Sequence, residues 1–350
     1  MEEKVERYSL SINPFGYLAS ESLDNIKDIC VYQDVDYSLL ELLEEVKSGE
    51  SRVFSINGPF GTGKTLRLKF ILENYDDTGI YTKIPIGDFK SVMAHILKEI
   101  RITKAKRSFI KRILRRFYSS VDPSEVEKDP IELSNIILEE VSGCVFLIDE
   151  LENISKMKDD EIDNFFQVLK EMVSNIPPKT MLGISCTTSE YFLFKNKYFA
   201  FFQRIDKEFS LKDLTDEEAI ELVKKRLQTN RILKDLDPLY PFSEGAIAEA
   251  NNLTSGNPRN LLKLLQEALR VGIRDELPNI EVPVIREVYS KVFEPYKTKL
   301  EIELEKIEKE FLELSAKYDA GEIDFEVYQS KIRDLEVRLL KIEREVKETK

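Results

Sequence analysis

Tryptophan is missing from the 350 residues, histidine occurs once and cysteine only three times. The one histidine, His95, has no cysteine or second histidine near it, which argues against a histidine-centred metal or acid–base site. Cys30, Cys144 and Cys186 lie far apart, with neither metal-ligand nor redox spacing. They read as reduced, small apolar residues of a cytoplasmic protein. No apolar run approaches the ~20 residues needed to span a bilayer, and Met1–Leu10 is too acidic and polar for a secretory leader. The net charge of −13 excludes a uniformly basic nucleic-acid binder, though not a local basic patch. What remains is a folded, highly charged chain, 42% hydrophobic and 33% charged, long enough for two or three domains.

The informative stretch is Ser55-Ile56-Asn57-Gly58-Pro59-Phe60-Gly61-Thr62-Gly63-Lys64-Thr65. A β-branched and aromatic run, Arg52 to Ile56, leads in, and a helix-forming run, Leu66 to Leu72, leads out. Gly58, Gly63, Lys64 and Thr65 keep the spacing of a phosphate-binding loop in its required strand–turn–helix setting. Glycines let successive backbone N–H groups turn inward around a polyphosphate, and the helix start adds the positive end of its dipole. Lys64 would reach the β- and γ-phosphates, and the Thr65 hydroxyl would hold Mg²⁺.

About 85 residues further on, Cys144-Val145-Phe146-Leu147-Ile148 ends in Asp149-Glu150. A continuous apolar run ending in acids is the pattern of a buried central parallel strand, whose carboxyl end is the ligand-binding edge of an open α/β sheet. Asp149 would hold Mg²⁺, largely through water, and Glu150 would orient or polarise the water attacking a γ-phosphate. Further strands are predicted over 80–86 and 181–188, with helices over 36–48, 131–141 and 160–172 between them. This alternation predicts an α/β domain over residues 1–210, with 1–30 as an N-terminal extension. The aromatics of Phe192–Phe202 read as core.

From Leu211 the spacing turns helical. Thr215-Asp216-Glu217-Glu218 is a capping box opening a helix through Gln228. Helices also fit 243–252, 260–271 and 284–293, so residues 211–293 are expected to form a small all-helical domain, with Arg259 at a helix start. The last segment, 294–350, carries two heptad-patterned stretches, one from Tyr296 to Tyr318 and one from Phe325 to Val346, around Asp319-Ala320-Gly321. They predict an antiparallel helical hairpin with arms of about 35–40 Å, either projecting as an interaction arm or folded onto the helical domain.

One segment departs from the acidic average. Lys98–Arg116 holds nine basic residues, among them Lys104, Lys106, Arg107, Lys111 and Arg112, against the single acid Glu99. Ile110, Ile113, Leu114 and Phe117 predict an amphipathic helix in its second half. The segment is either a solvated basic face or a site for a phosphate backbone or acidic partner. It lacks the interleaved aromatics that base stacking needs.

Taken together, Gly58–Thr65, Cys144–Glu150, Gly183-Ile184-Ser185, Arg204 and Gly256-Asn257-Pro258-Arg259 resemble the AAA+ ATPases. Within these, the chain resembles the initiator clade of archaeal and eukaryotic origin-recognition and cell-division-control proteins, over roughly residues 30–290. The resemblance implies a P-loop parallel-sheet domain followed by a helical lid. It also implies that Gly58, Pro59, Phe60, Gly61, Thr62, Gly63, Lys64, Thr65 and Leu66 wrap ATP. Thr65 and Asp149 then hold Mg²⁺, and Glu150 serves hydrolysis. Thr187 takes the place of the first sensor residue, although the family's usual asparagine falls on Cys186. Arg204 matches the arginine that reaches a neighbouring subunit's γ-phosphate, and Arg259 the sensor arginine of the lid. Members of the clade usually carry a C-terminal winged helix, and here the heptad hairpin begins almost where the lid ends. The clade's other DNA element falls between the second strand and the acidic strand, the interval that holds Lys98–Arg116. The expectation is an oligomeric, ATP-dependent, DNA-associated switch. The alternative is a protein-remodelling or signalling ATPase, resembling transposition regulators, that acts on a protein partner through the hairpin.

Overall fold

The computed structural model describes residues 5–16, 31–107, 121–293 and 299–339, the last with breaks at 325–326, 329 and 336–337. Cys30, Lys111, Arg112 and the helix expected around Ile110–Phe117 lie outside the described residues, as do Phe325 and the end of the second heptad stretch.

The chain divides into two compact units. The first, Gln33–Gly58 with Arg67–Leu211, is built on five strands: β1 (Arg52–Asn57), β2 (Gly79–Lys83), β3 (Val145–Asp149), β4 (Met181–Cys186) and β5 (Lys207–Ser210). They run parallel in the order β2-β3-β4-β1-β5. Helix α1 (Asp34–Ser48) precedes β1, and the crossover connections that parallel neighbours need are supplied by α2 (Lys64–Glu73), α3 (Phe89–Arg107), α4 (Pro130–Val141), α5 (Asp159–Ser174), α6 (Thr188–Lys197) and α7 (Phe199–Phe202).

Helices on both faces explain why the central strands read as unbroken apolar runs. All five residues of β3 are buried. Phe146 and Ile148 join a core with α3, α4 and α5, whereas Val145 and Leu147 join one with α1 and α2. The β4 glycine Gly183 is required by packing, because a Cβ there would fall 2.3 Å from the Phe54 ring. Tyr191, Phe192, Phe194, Phe201 and Phe202 are core residues, and Phe199 is exposed. Strand β5 was not expected, because Lys-Glu-Phe-Ser carries a single apolar residue and reads as loop.

The second unit contains α8 (Asp216–Thr229), α9 (Glu244–Leu253), α10 (Pro258–Arg274) and α11 (Val282–Val288). The capping box forms as its residue pattern predicts: Thr215 Oγ1 accepts from Glu218 N–H at 3.2 Å, and Glu218 accepts from Thr215 N–H at 2.9 Å. The N-terminal residues, grouped above with the α/β domain, pack in this helical core instead. Val5, Tyr8, Leu10 and Phe15 are buried among α8, α9 and α10. Tyr8 Oη donates to Leu277 O at 2.7 Å, and Arg231 donates to Tyr8 O at 2.9 Å. The same unit takes the loop residues Pro59–Leu66.

The helix α12 (Lys299–Asp319) carries buried Ile307, Phe311 and Leu314; Ile332, Leu335 and Leu339 are buried as well. Arg338 pairs with Glu310 at 2.5 Å, and Tyr318 stacks on Tyr328 with centroids 4.6 Å apart. Among the described residues no helix is long and apolar enough to cross a membrane.

Candidate nucleotide-binding site

Two strand ends of the α/β unit set the site. β1 ends at Asn57-Gly58 and runs into the glycine loop, and β3 ends at Asp149-Glu150. β1 and β3 both flank β4, whose register pairs Asn57 with Cys186 and Ile148 with Ile184, so the two ends lie at the same carboxyl edge of the sheet.

In the loop, Gly61 and Gly63 have φ of +90° and +98°, a region open to glycine and costly for other residues. Such left-handed residues turn consecutive N–H groups toward one side, the concavity that anions occupy. The hydroxyl of Thr62 donates to Pro59 O at 2.9 Å, and Lys64 Nζ donates to the same carbonyl at 3.0 Å. Lys64 is only 8% exposed and Thr65 is half-buried, both at the start of α2. A cationic head, two left-handed glycines and a helix N-terminus fit a polyphosphate.

Residues 257–259 meet this loop. Asn257 caps α10, its Oδ1 accepting from Asn260 N–H at 3.2 Å, while its Nδ2 donates to Phe60 O at 2.8 Å. The Arg259 guanidinium lies over the Phe60 ring, 4.3 Å from the centroid. A Cβ on Gly61 would fall 2.8 Å from Asn257 Oδ1 and 2.9 Å from Arg259 Cβ, a second reason that only glycine fits there.

The acids at the end of β3 are held by residues to which sequence reasoning gave no role. Asp149 is 1% exposed. Its Oδ2 accepts from the Tyr81 hydroxyl at 2.7 Å, and its Oδ1 accepts from the Ser185 hydroxyl and from Glu150 N–H at 3.0 Å. Ser185 Oγ also accepts from Glu150 N–H at 3.3 Å. Glu150 adopts a left-handed backbone (φ 56°, ψ 47°), a conformation that costs about 1–2 kcal/mol for a residue with a Cβ. Its carboxylate is ion-paired with Lys83 Nζ at 2.7 Å and accepts from Asn153 Nδ2 at 3.1 Å. A hydroxyl inside an apolar strand, as in Gly183-Ile184-Ser185, is the one signal that could have pointed to Ser185. Hard carboxylate oxygen fixed in orientation fits Mg²⁺ held through water.

Of the remaining candidates, Thr187 lies at the same carboxyl edge, directly after β4, the strand between β1 and β3. Thr187 is the N-cap of α6; its hydroxyl donates to Glu190 and its N–H to Glu152 at 3.2 Å. Arg204 follows α7, is exposed, and donates to Ala200 O. Of the basic segment, Lys104, Lys106 and Arg107 end α3. Lys104 Nζ donates to Glu140 O at 2.7 Å, and its neighbour Arg101 forks onto Glu125 and Glu140 at 2.7 and 3.0 Å. Part of the positive charge is therefore balanced within the α/β unit. These two carboxylates hold the Arg101 guanidinium in its charged form more firmly than usual.

No protein-family model matches the chain, and no curated protein matches it in sequence. Among solved structures it is similar to the ORC2 protein of Aeropyrum pernix, seen in ADPNP and ADP complexes. The identity is 13% and the TM-score 0.54, over 86% of this chain and 78% of that one. It is likewise similar to Cdc6p of Pyrobaculum aerophilum, at 13% identity and a TM-score of 0.52, over 93% and 90% of the two chains. The RuvB Holliday junction branch migration motor of Thermotoga maritima aligns at 16% identity and a TM-score of 0.47. The fold is that of the AAA+ ATPases, with the five-stranded parallel sheet described above.

Proposed function

We propose that this chain binds ATP with Mg²⁺ and hydrolyses it to ADP and phosphate, as a switch that acts in association with DNA. The observation that supports this most is the pairing of strand ends on one parallel sheet: a left-handed glycine loop after β1 and a buried, hydroxyl-anchored acid pair after β3. Gly58–Leu66 wrap the phosphates, with Lys64 leaving Pro59 O to meet the terminal ones. Thr65 and Asp149 are the residues assigned to Mg²⁺, which when bound neutralises developing phosphate charge. Glu150 orients the attacking water. Each of its carboxylate oxygens has two lone pairs, so the bonds to Lys83 and Asn153 leave acceptor capacity. Arg259 adds a cation toward the γ-phosphate, and Arg204 supplies one to a neighbouring copy.

ATP titration and phosphate release test the reading. Lys64→Ala should lose ATP affinity, whereas Glu150→Gln should keep it and lose turnover by about 10²–10⁴-fold. Wild-type protein that neither binds nor turns over ATP, or Lys64→Ala protein that binds as tightly, would refute it. Duplex-DNA binding with and without ATP tests the DNA part, against a variant neutralised at Lys104, Lys106, Arg107, Lys111 and Arg112. Equal binding by the two proteins removes that segment from the account.

A second reading is favoured by the contacts of the C-terminal segment. The Arg338–Glu310 pair, the Tyr318–Tyr328 stack and the buried heptad residues are those an antiparallel hairpin would make. In that reading the output is a protein partner gripped by the hairpin, and truncation before residue 299 abolishes its binding while ATP turnover persists.

A further inference from the structure

We propose that Phe60 is a positioning residue for Arg259, and that its ring sets how strongly the site prefers a nucleoside triphosphate over a diphosphate. The inference rests on the nucleotide reading above and names a specificity determinant within that site.

A single exposed phenylalanine is ordinary, and Phe60 is 65% exposed. Its surroundings are not ordinary. The guanidinium of Arg259 covers one face of the ring at 4.3 Å, well within cation–π range. Asn257 Nδ2 binds the Phe60 carbonyl at 2.8 Å, and the next residue must be glycine to clear both Asn257 and Arg259. Three contacts thus join residues 60–61 to residues 257–259. Among the described residues, the Phe60 ring is the partner of the Arg259 guanidinium, and no carboxylate pairs with it.

A cation held by a ring keeps its full charge, because the ring quadrupole orients it without neutralising it. A carboxylate in the same place would cancel the charge that a phosphate needs. The flexible arginine side chain is also ordered before the anion arrives, which lowers the entropic cost of binding. An arginine aimed at the terminal phosphate favours ATP and leaves ADP untouched, so the ring's contribution should appear in the ratio of the two affinities. A cation–π contact at an exposed site corresponds to about a two- to fivefold effect.

The test uses the full chain and equilibrium titration with ADP and with a non-hydrolysable ATP analogue. Wild type is compared with Phe60→Tyr, Phe60→Leu, Arg259→Ala and the Phe60→Leu/Arg259→Ala double variant. Phe60→Tyr should keep the wild-type preference, whereas Phe60→Leu, similar in bulk but without a π-face, should lose about two- to fivefold of it. The double variant should discriminate no worse than Arg259→Ala alone. A wild-type ratio in Phe60→Leu, or additive losses in the double variant, would overturn the proposal. If Arg259→Ala keeps the wild-type ratio, Arg259 is not a triphosphate sensor and Phe60 positions nothing. If wild-type protein binds neither nucleotide, the nucleotide reading itself fails, a result plainly different from the other two.

Discussion

Replacing Ser185 by alanine removes one hydroxyl that serves two acids. Ser185 is fully buried in β4, donates to Asp149 Oδ1 and accepts from Glu150 N–H at 3.3 Å. In the variant, Tyr81 remains on Asp149 Oδ2 at 2.7 Å, and Glu150 N–H keeps its 3.0 Å bond to Oδ1. The loss is therefore one charge-assisted hydrogen bond, about 1.5–3 kcal/mol of stability. The vacated space is that of a single oxygen, below the volume a replacement water needs. Asp149 keeps one partner on each oxygen but is held less tightly at Oδ1, and the strained Glu150 backbone loses one of two restraints. Since ~1.4 kcal/mol is tenfold in rate, turnover should fall about 10- to 100-fold. The Mg²⁺ concentration for half-maximal turnover should rise, whereas Mg²⁺-free ATP affinity, which depends on the loop and Lys64, should hold. Urea unfolding, phosphate release and a Mg²⁺ titration measure these three quantities. A variant that is destabilised but wild-type in turnover and Mg²⁺ response would reduce Ser185 to a packing residue.

Four further outcomes are expected. Gly61→Ala forces a Cβ into Asn257 and Arg259 at a φ of +90°, and should cost at least about 1–2 kcal/mol by thermal unfolding, with faster amide exchange at the start of α10. Tyr8→Ala should destabilise the helical unit by about 3–5 kcal/mol in denaturant titration, because a fully buried ring and its bond to Leu277 O are lost together. The Arg101 guanidinium beside Glu125 holds that carboxyl below its ordinary value, so its stabilisation is complete above pH 4.5 and disappears as pH falls through the lower folded value. Unfolding free energy measured against pH should therefore be less steep in acid for Glu125→Gln than for wild type. Arg204→Ala should bind ATP normally but hydrolyse it slowly, and mixing it with Glu150→Gln protein, which retains Arg204, should restore turnover. Wild-type turnover per molecule that is independent of protein concentration would count against action between copies.

The parts of the fold that could be read from the sequence were those where one local signal sufficed. The glycine loop, the apolar run into Asp149-Glu150 and the capping box at Thr215 each announce themselves through residue type at fixed spacing. Strand β5 did not, because an edge strand with three polar residues in four is held by pairing with Phe54–Asn57 rather than by its own composition. The destination of Val5, Tyr8, Leu10 and Phe15 was hidden for a related reason: their burial depends on helices more than 200 residues away. Within the site, Tyr81, Lys83 and Asn153 were missed because each works through a neighbouring strand or turn, and Ser185, quoted only within Gly183-Ile184-Ser185, was given no role for the same reason. Thr187 carries two roles at one position. Its sequence position suggests a ligand contact, and the structure adds a second role the sequence did not show: it is the N-cap residue of α6 and its hydroxyl donates to Glu190.

The packing of the first residues against α8–α10 has a consequence for how the chain is made. Apart from the loop Pro59–Leu66, the helical unit is written in two instalments, with the α/β unit between them. On a ribosome, Val5 to Phe15 emerge before the α/β unit and must wait for residues beyond 212 before they can be buried. The α/β sheet can close meanwhile, leaving four large apolar side chains exposed until the second instalment arrives. For Val5 to Phe15, early synthesis is therefore coupled to late burial, and in the interval their apolar surface is open to chaperones.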